Sequence, residues 1–236
     1  MKKFAAVMLS AVMAVSMAAC GGSDTNETAQ TDSSASGETS SNTEESAQTE
    51  TVASDGNVLI AYFSVPETDE VDAVAGASRV VTDGEVLGNT QYIAQLIQNE
   101  VGGDLFRIET VQEYPGSHDA LLEFAYNELS ENARPELSSQ IENLDDYDVI
   151  FLGYPNWNSD LPMPLYTFLE EYDLSGKTII PFTTHGGSGF SRTIQTTEEL
   201  QPDASVVSDG LSISRNSVPD AQGEVADWAA GLGVTG

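Results

Sequence analysis

Three short stretches hold the residues best suited to chemistry: Gly88-Asn89-Thr90, Tyr154-Pro155-Asn156-Trp157, and the run Thr183-Thr184-His185-Gly186-Gly187-Ser188-Gly189. The first opens a helical pattern. Gly88 permits close backbone approach, Asn89 and Thr90 offer side-chain hydrogen bonds, and the free N–H groups of a helix start favour an anion. A plain capping role for Asn89 is the commoner use of such a residue. In the second stretch, Tyr154 and Trp157 can stack on a planar ligand while amides beside Pro155 and Asn156 bond its edge. Packing of Trp157 on the next helix is the alternative. In the third, Gly186, Gly187 and Gly189 let the main chain pass close to a ligand, and Thr183, Thr184 and His185 add polar groups.

Positioning these stretches is the task of alternating elements. Continuous apolar runs at 58–63, 148–154 and 178–184 read as strands covered on both faces, as in a parallel sheet. Residues 105–109 form a weaker strand, and 206–214 a fifth one broken at Asp209-Gly210. Helical stripes lie between them: Ile93, Leu96, Ile97 and Val101; Leu121, Ala125 and Leu129; Leu165, Phe168, Leu169 and Tyr172; Val225, Trp228, Ala229 and Leu232. A weaker helix is expected from Ser191 to Leu200. Five strands alternating with five helices predict an α/β fold with a doubly wound five-stranded parallel sheet, for which 2-1-3-4-5 is the candidate strand order. Ligands of such sheets bind beyond the carboxyl ends of the strands. The three stretches follow the first, third and fourth strands.

Together these motifs resemble the flavodoxin-like family that binds flavin mononucleotide (FMN), over nearly all of residues 57–236. Tyr62-Phe63-Ser64 followed by Gly88-Asn89-Thr90 is similar to the family's phosphate loop, Ser/Thr-x-Thr-Gly-Asn-Thr. The other two stretches stand where its flavin-ring loops belong. The resemblance implies that Ser64, Gly88, Asn89 and Thr90 hold the phosphate. It further implies that Pro155, Asn156 and Trp157 meet one side of the ring, with Thr184, His185, Gly186 and Gly187 at the other side or edge. The family has two residues between serine and glycine; here Val65 to Leu87 intervene, and Leu87 replaces a threonine. This insertion contains a hairpin pattern with Asp83-Gly84 as its turn.

The first 19 residues read as an export signal, with Lys2 and Lys3 ahead of a short apolar run and small residues before Cys20. That cysteine, the only one, resembles the acylated residue of bacterial lipoproteins. Residues 20–56 form an acidic Ser/Thr-rich stretch without aromatic residues, expected to be a disordered tether. The sequence therefore predicts an exported protein, lipid-anchored outside the cytoplasmic membrane, that meets the membrane through its anchor only. With 38 acidic residues against 8 basic ones, nucleic acid is excluded as a partner. A redox protein or a small-molecule electron acceptor is the expected partner, the activity being electron carriage or NAD(P)H- or quinone-linked oxidoreduction. No Lys or Arg lies in the three loops, so the acidic surroundings are expected to lower the potential of bound flavin. Each carboxylate at about 15 Å contributes on the order of 1 kcal/mol at an effective dielectric of about 20. A tethered binding module without flavin is the alternative.

Other motifs fail on context. Ser175-Gly176-Lys177-Thr178 lacks the first glycine of a P-loop and leads into a strand, and Phe190 breaks a hydrolase elbow around Ser188. No spacing of His, Cys and carboxylates suggests a metal site.

Overall fold

The computed structural model describes residues 57–68 and 78–236. The export signal, Cys20, the tether to residue 56 and part of the insertion, 69–77, lie outside the described residues.

The element order is β1 (Val58–Tyr62), β2 (Arg79–Thr82), β3 (Glu85–Gly88), α1 (Asn89–Val101), β4 (Asp104–Arg107), α2 (His118–Glu131), β5 (Val149–Pro155), α3 (Met163–Glu171), β6 (Thr178–His185), α4 (Thr193–Leu200), β7 (Ser205–Val206), β8 (Leu211–Ser214) and α5 (Gln222–Leu232). The main sheet runs β4-β1-β5-β6, and β7 and β8 follow one another along the free side of β6, every pair parallel. In sequence terms this is order 2-1-3-4-5, with the broken fifth strand realised as two pieces. The break falls beside Pro181, which has no N–H for a rung of the ladder. It is filled by Gly210, where an added Cβ would lie 2.3 Å from the Pro181 carbonyl oxygen.

Period-two alternation splits β1 between two cores. Val58, Ile60 and Tyr62 pack with Ile93, Ile97 and Val101 of α1 and with Val225, Ala229 and Leu232 of α5. Leu59, Ala61 and Phe63 face the other way, onto Leu121 and Ala125 of α2 and Leu165, Phe168 and Leu169 of α3. All five residues of β1 are buried, and each such aliphatic side chain contributes roughly 1.5–3 kcal/mol on removal from water. Covering both faces is what allows the strands to be apolar throughout. α4 differs: its inward residues are Thr193, Thr196 and Thr197, all buried. They are satisfied by hydrogen bonds, Tyr154 donating its hydroxyl to Thr193 Oγ1 at 2.9 Å. Burial pushes the Tyr154 phenol up, so it remains a neutral donor.

β2 and β3 make the expected antiparallel hairpin, with Val81 opposite Val86. Asp83 and Gly84 both take positive φ, 51° and 83°, the geometry of a two-residue type I′ turn. β3 runs without a break into α1, so the end of the insertion places Gly88 at the helix N-cap.

Candidate functional site

Gly88 lies against Ser64 although 23 residues separate them in the chain. A Cβ on Gly88 would sit 2.0 Å from Ser64 Oγ, so only glycine fits there without a shift. Its φ of −68° is ordinary, and the requirement is space alone. Ser64 Oγ accepts the Gln91 N–H at 3.4 Å, acting as a cap supplied from the end of β1. Thr90 Oγ1 meets Thr184 Oγ1 at 2.8 Å, joining this corner to the end of β6. Ser64, Asn89, Thr90 and Thr184 are all buried. The insertion folds back over the corner as well, because the Ser78 carbonyl accepts the Asn89 N–H at 3.1 Å. Three hydroxyls, those of Ser64, Thr90 and Thr184, thus stand near the helix start, where the Ser78 carbonyl occupies the Asn89 N–H.

Beside the corner lies a cleft of about 340 Å³ whose walls include Pro155, Asn156, Trp157, Thr184, His185 and Gly186. The ends of β5 and β6 are locked together by Thr183 Oγ1 donating to the Tyr154 carbonyl at 2.9 Å and by the Asn156 N–H donating to the Thr184 carbonyl at 2.9 Å. Asn158 and Ser159, with φ of 54° and 64°, turn the β5 loop back so that Trp157 and Asp160 exchange backbone hydrogen bonds. The Asn156 amide donates to the Gly189 carbonyl at 2.7 Å and to Ser191 Oγ at 3.2 Å, which fixes its orientation. Its Oδ1 is then a buried acceptor without a partner among the described residues.

Trp157 presents little ring to the cleft. It is 9% exposed and packs against Phe63 and Tyr114, with ring centroids 5.5 and 5.6 Å away. Packing thus accounts for most of its surface, although these ring contacts lie at the ends of β1 and β4. Gly187 and Gly189 have φ of 131° and 58°, so backbone conformation explains two of the three glycines. Gly187 lies between the cleft residues Gly186 and Ser188. His185 Nδ1 accepts the Gly187 N–H at 2.9 Å, and burial holds its imidazole below the usual range. It therefore stays neutral at pH 7 with its proton on Nε2, a hydrogen-bond donor rather than an acid.

Three residues at or beside the site escaped the sequence reading: Ser78, Glu67 and Arg215. The absence of Lys and Arg from the three loops does not carry over to the cleft. Arg215 follows β8, its N–H bonds the His185 carbonyl at 2.8 Å, and its side chain lines the cleft. A Cβ on Gly186 would lie 3.8 Å from the Arg215 guanidinium carbon. Among the described residues, none of the ion pairs involves Arg215, and no carboxylate lines the cleft.

A family model described as flavodoxin matches residues 78–230. Among solved structures, a candidate flavoprotein of Bacteroides eggerthii DSM 20697 is 26% identical over 73% of this chain and 99% of its own, with a TM-score of 0.51. One from Bacteroides uniformis ATCC 8492 is 25% identical over 74% of this chain and 98% of its own, with a TM-score of 0.53. A Lactobacillus acidophilus flavoprotein solved in complex with FMN is 19% identical over 71% of this chain and 99% of its own, with a TM-score of 0.49. No curated protein matches the chain significantly.

Proposed function

Because this chain belongs to the flavodoxin family, we propose that it binds FMN between the β5 and β6 loops and transfers electrons outside the cytoplasmic membrane. The observation that carries this reading is the Thr90–Thr184 hydrogen bond of 2.8 Å, which joins the helix-start corner to a residue of the cleft wall. Ser64, Gly88, Asn89 and Thr90 would hold the phosphate. Pro155, Asn156 and Trp157 would meet the ring on one side, and Thr184, His185, Gly186 and Gly187 on the other. Asn156 Oδ1 supplies an acceptor for a ring N–H, and His185 Nε2–H a donor for a ring acceptor. FMN contributes one- and two-electron redox chemistry, and the protein sets its orientation and potential. The direct partner is a redox protein or a small-molecule acceptor.

Arg215 revises the expected potential. A unit charge on the cleft wall offsets at least one carboxylate at about 15 Å, which contributes on the order of 1 kcal/mol at an effective dielectric of about 20. Half-exposed, it should keep on the order of 50 mV of effect on a one-electron couple after screening. Arg215→Gln is expected to lower the midpoint potential of the FMN-loaded protein by that amount. An unchanged or raised potential in a redox titration would remove Arg215 from the flavin's surroundings.

Location rests on the N-terminal segment. The run ending in Cys20 supports export and acylation, with residues 21–56 as the tether. Cys20→Ser should move the protein from the membrane pellet to the soluble fraction; a variant that still sediments with membranes would contradict lipid attachment.

A further inference from the structure

Both histidines of the chain line the same cleft. His185 is a neutral donor on one wall. His118, the first residue of α2, stands in a different setting: its Nδ1 lies 2.9 Å from Glu67 Oε1. Glu67 is 3% exposed and does not line the cleft, so it sits behind the imidazole, while the His118 side chain is 26% exposed. A buried carboxylate on Nδ1 holds one tautomer and one ring orientation, leaving Nε2 as the nitrogen for the cleft. A histidine at a helix start is otherwise a poor choice, because a positive imidazole opposes the helix dipole; the carboxylate offsets that cost. Leu121 and Leu122 of the same helix continue the wall, and Leu122 is 43% exposed, giving the mouth an apolar lip.

We propose that His118, positioned by Glu67, is a catalytic proton donor that makes this cleft a reductase site for a small planar carbonyl acceptor. The proposal rests on the FMN reading above and decides between carriage of electrons alone and proton-coupled reduction. FMN held by Ser64, Gly88, Asn89 and Thr90 would supply, in its reduced form, the hydride (two electrons with one proton) that reduces the carbonyl compound. The oxygen that becomes anionic takes the proton on His118 Nε2, forming an O–H bond as the N–H bond breaks. His118 is left neutral with its remaining proton on Nδ1 toward Glu67, and it regains a proton from solvent. Among the described residues, the charged and titratable groups around it are Glu67 behind, Asp119 next in α2, and His185 and Arg215 among the other cleft residues. Arg215 supplies a positive charge for the developing oxyanion.

The test compares two oxidants of the dithionite-reduced, FMN-loaded full chain by stopped flow: benzoquinone, which takes protons with its electrons, and ferricyanide, which takes none. His118→Gln should lower the quinone-to-ferricyanide rate ratio about 100-fold, within the usual range for general acid catalysis, and Glu67→Gln should lower it about 10-fold. In His118→Ala, added imidazole should restore part of the ratio. Independently of turnover, long-range imidazole NMR of the flavin-free protein should show the Nδ1–H tautomer of His118, lost in Glu67→Gln. A ratio within about threefold of wild type in FMN-loaded His118→Gln, or an Nε2–H tautomer in the wild type, overturns the proposal and leaves the flavin reading standing. Failure of the wild type to take up FMN defeats that reading, and the proposal with it.

Discussion

Gly88→Ala is expected to weaken FMN binding about 100-fold, roughly 2.7 kcal/mol, in a fluorescence titration. The new methyl would stand 2.0 Å from Ser64 Oγ and 3.2 Å from Ser64 Cβ. Either the Ser64 hydroxyl must swing away or the chain must shift, and both changes disturb the phosphate corner. The backbone itself accepts alanine, since φ is −68°. Stability should therefore fall by about 1 kcal/mol only, the worth of the Ser64–Gln91 capping bond. Ser64→Ala removes the hydroxyl without moving the chain and should weaken binding about 10-fold. Wild-type affinity in Gly88→Ala would place the phosphate somewhere else.

Gly153→Ala should give the largest loss of stability. Gly153 is in β5, paired with Tyr62 of β1 and with Phe182 of β6. A Cβ there would lie 2.0, 2.4 and 2.7 Å from three atoms of the Phe182 ring, which is fully buried. The ring lies across the strand and has nowhere to turn. Overpacking of a close-packed core costs typically 1–3 kcal/mol, and this contact belongs at the upper end, about 3 kcal/mol. For a domain of this size that lowers the melting temperature by about 6–12 °C. A shift under about 2 °C in a thermal melt would mean that Phe182 does not cover Gly153.

The central strands and both helical layers were legible because each central strand is buried on two faces and therefore apolar without alternation, whereas periodicity alone left the strand order a candidate. The Asp83-Gly84 turn was equally plain, since few sequences tolerate positive φ at two successive positions. Juxtaposition of Ser64 with Gly88 was implied by the resemblance of the two segments to one phosphate loop, and the hairpin that runs directly into α1 is compatible with it. Trp157 was harder, because an aromatic residue after a strand gives one signal for stacking on a ligand and for packing against Phe63 and Tyr114. Gly187 and Gly189 were ambiguous in the same way, serving the turn itself.

Arg215, Glu67 and the place of His118 in the cleft were missed for a common reason. Their proximity is set by tertiary structure and leaves no trace in spacing. Arg215 had a usable clue: it follows the last parallel strand, so it must emerge at the same sheet edge as the β6 loop. The break at Gly210 hid the strand's end, and with it that conclusion. His118 opens the helix after an outer strand, where nothing local indicates that it turns toward the centre. Glu67 falls within an insertion that no family pattern describes.

The central claim is that Ser64, the α1 start and the β5–β6 loops form one flavin site. Titration of the purified flavin-free protein with FMN, followed by flavin fluorescence, tests it most directly. The account predicts saturable quenching at one FMN per chain, competed by excess inorganic phosphate and reduced in Gly88→Ala. Fluorescence that stays that of free FMN at saturating protein would contradict it.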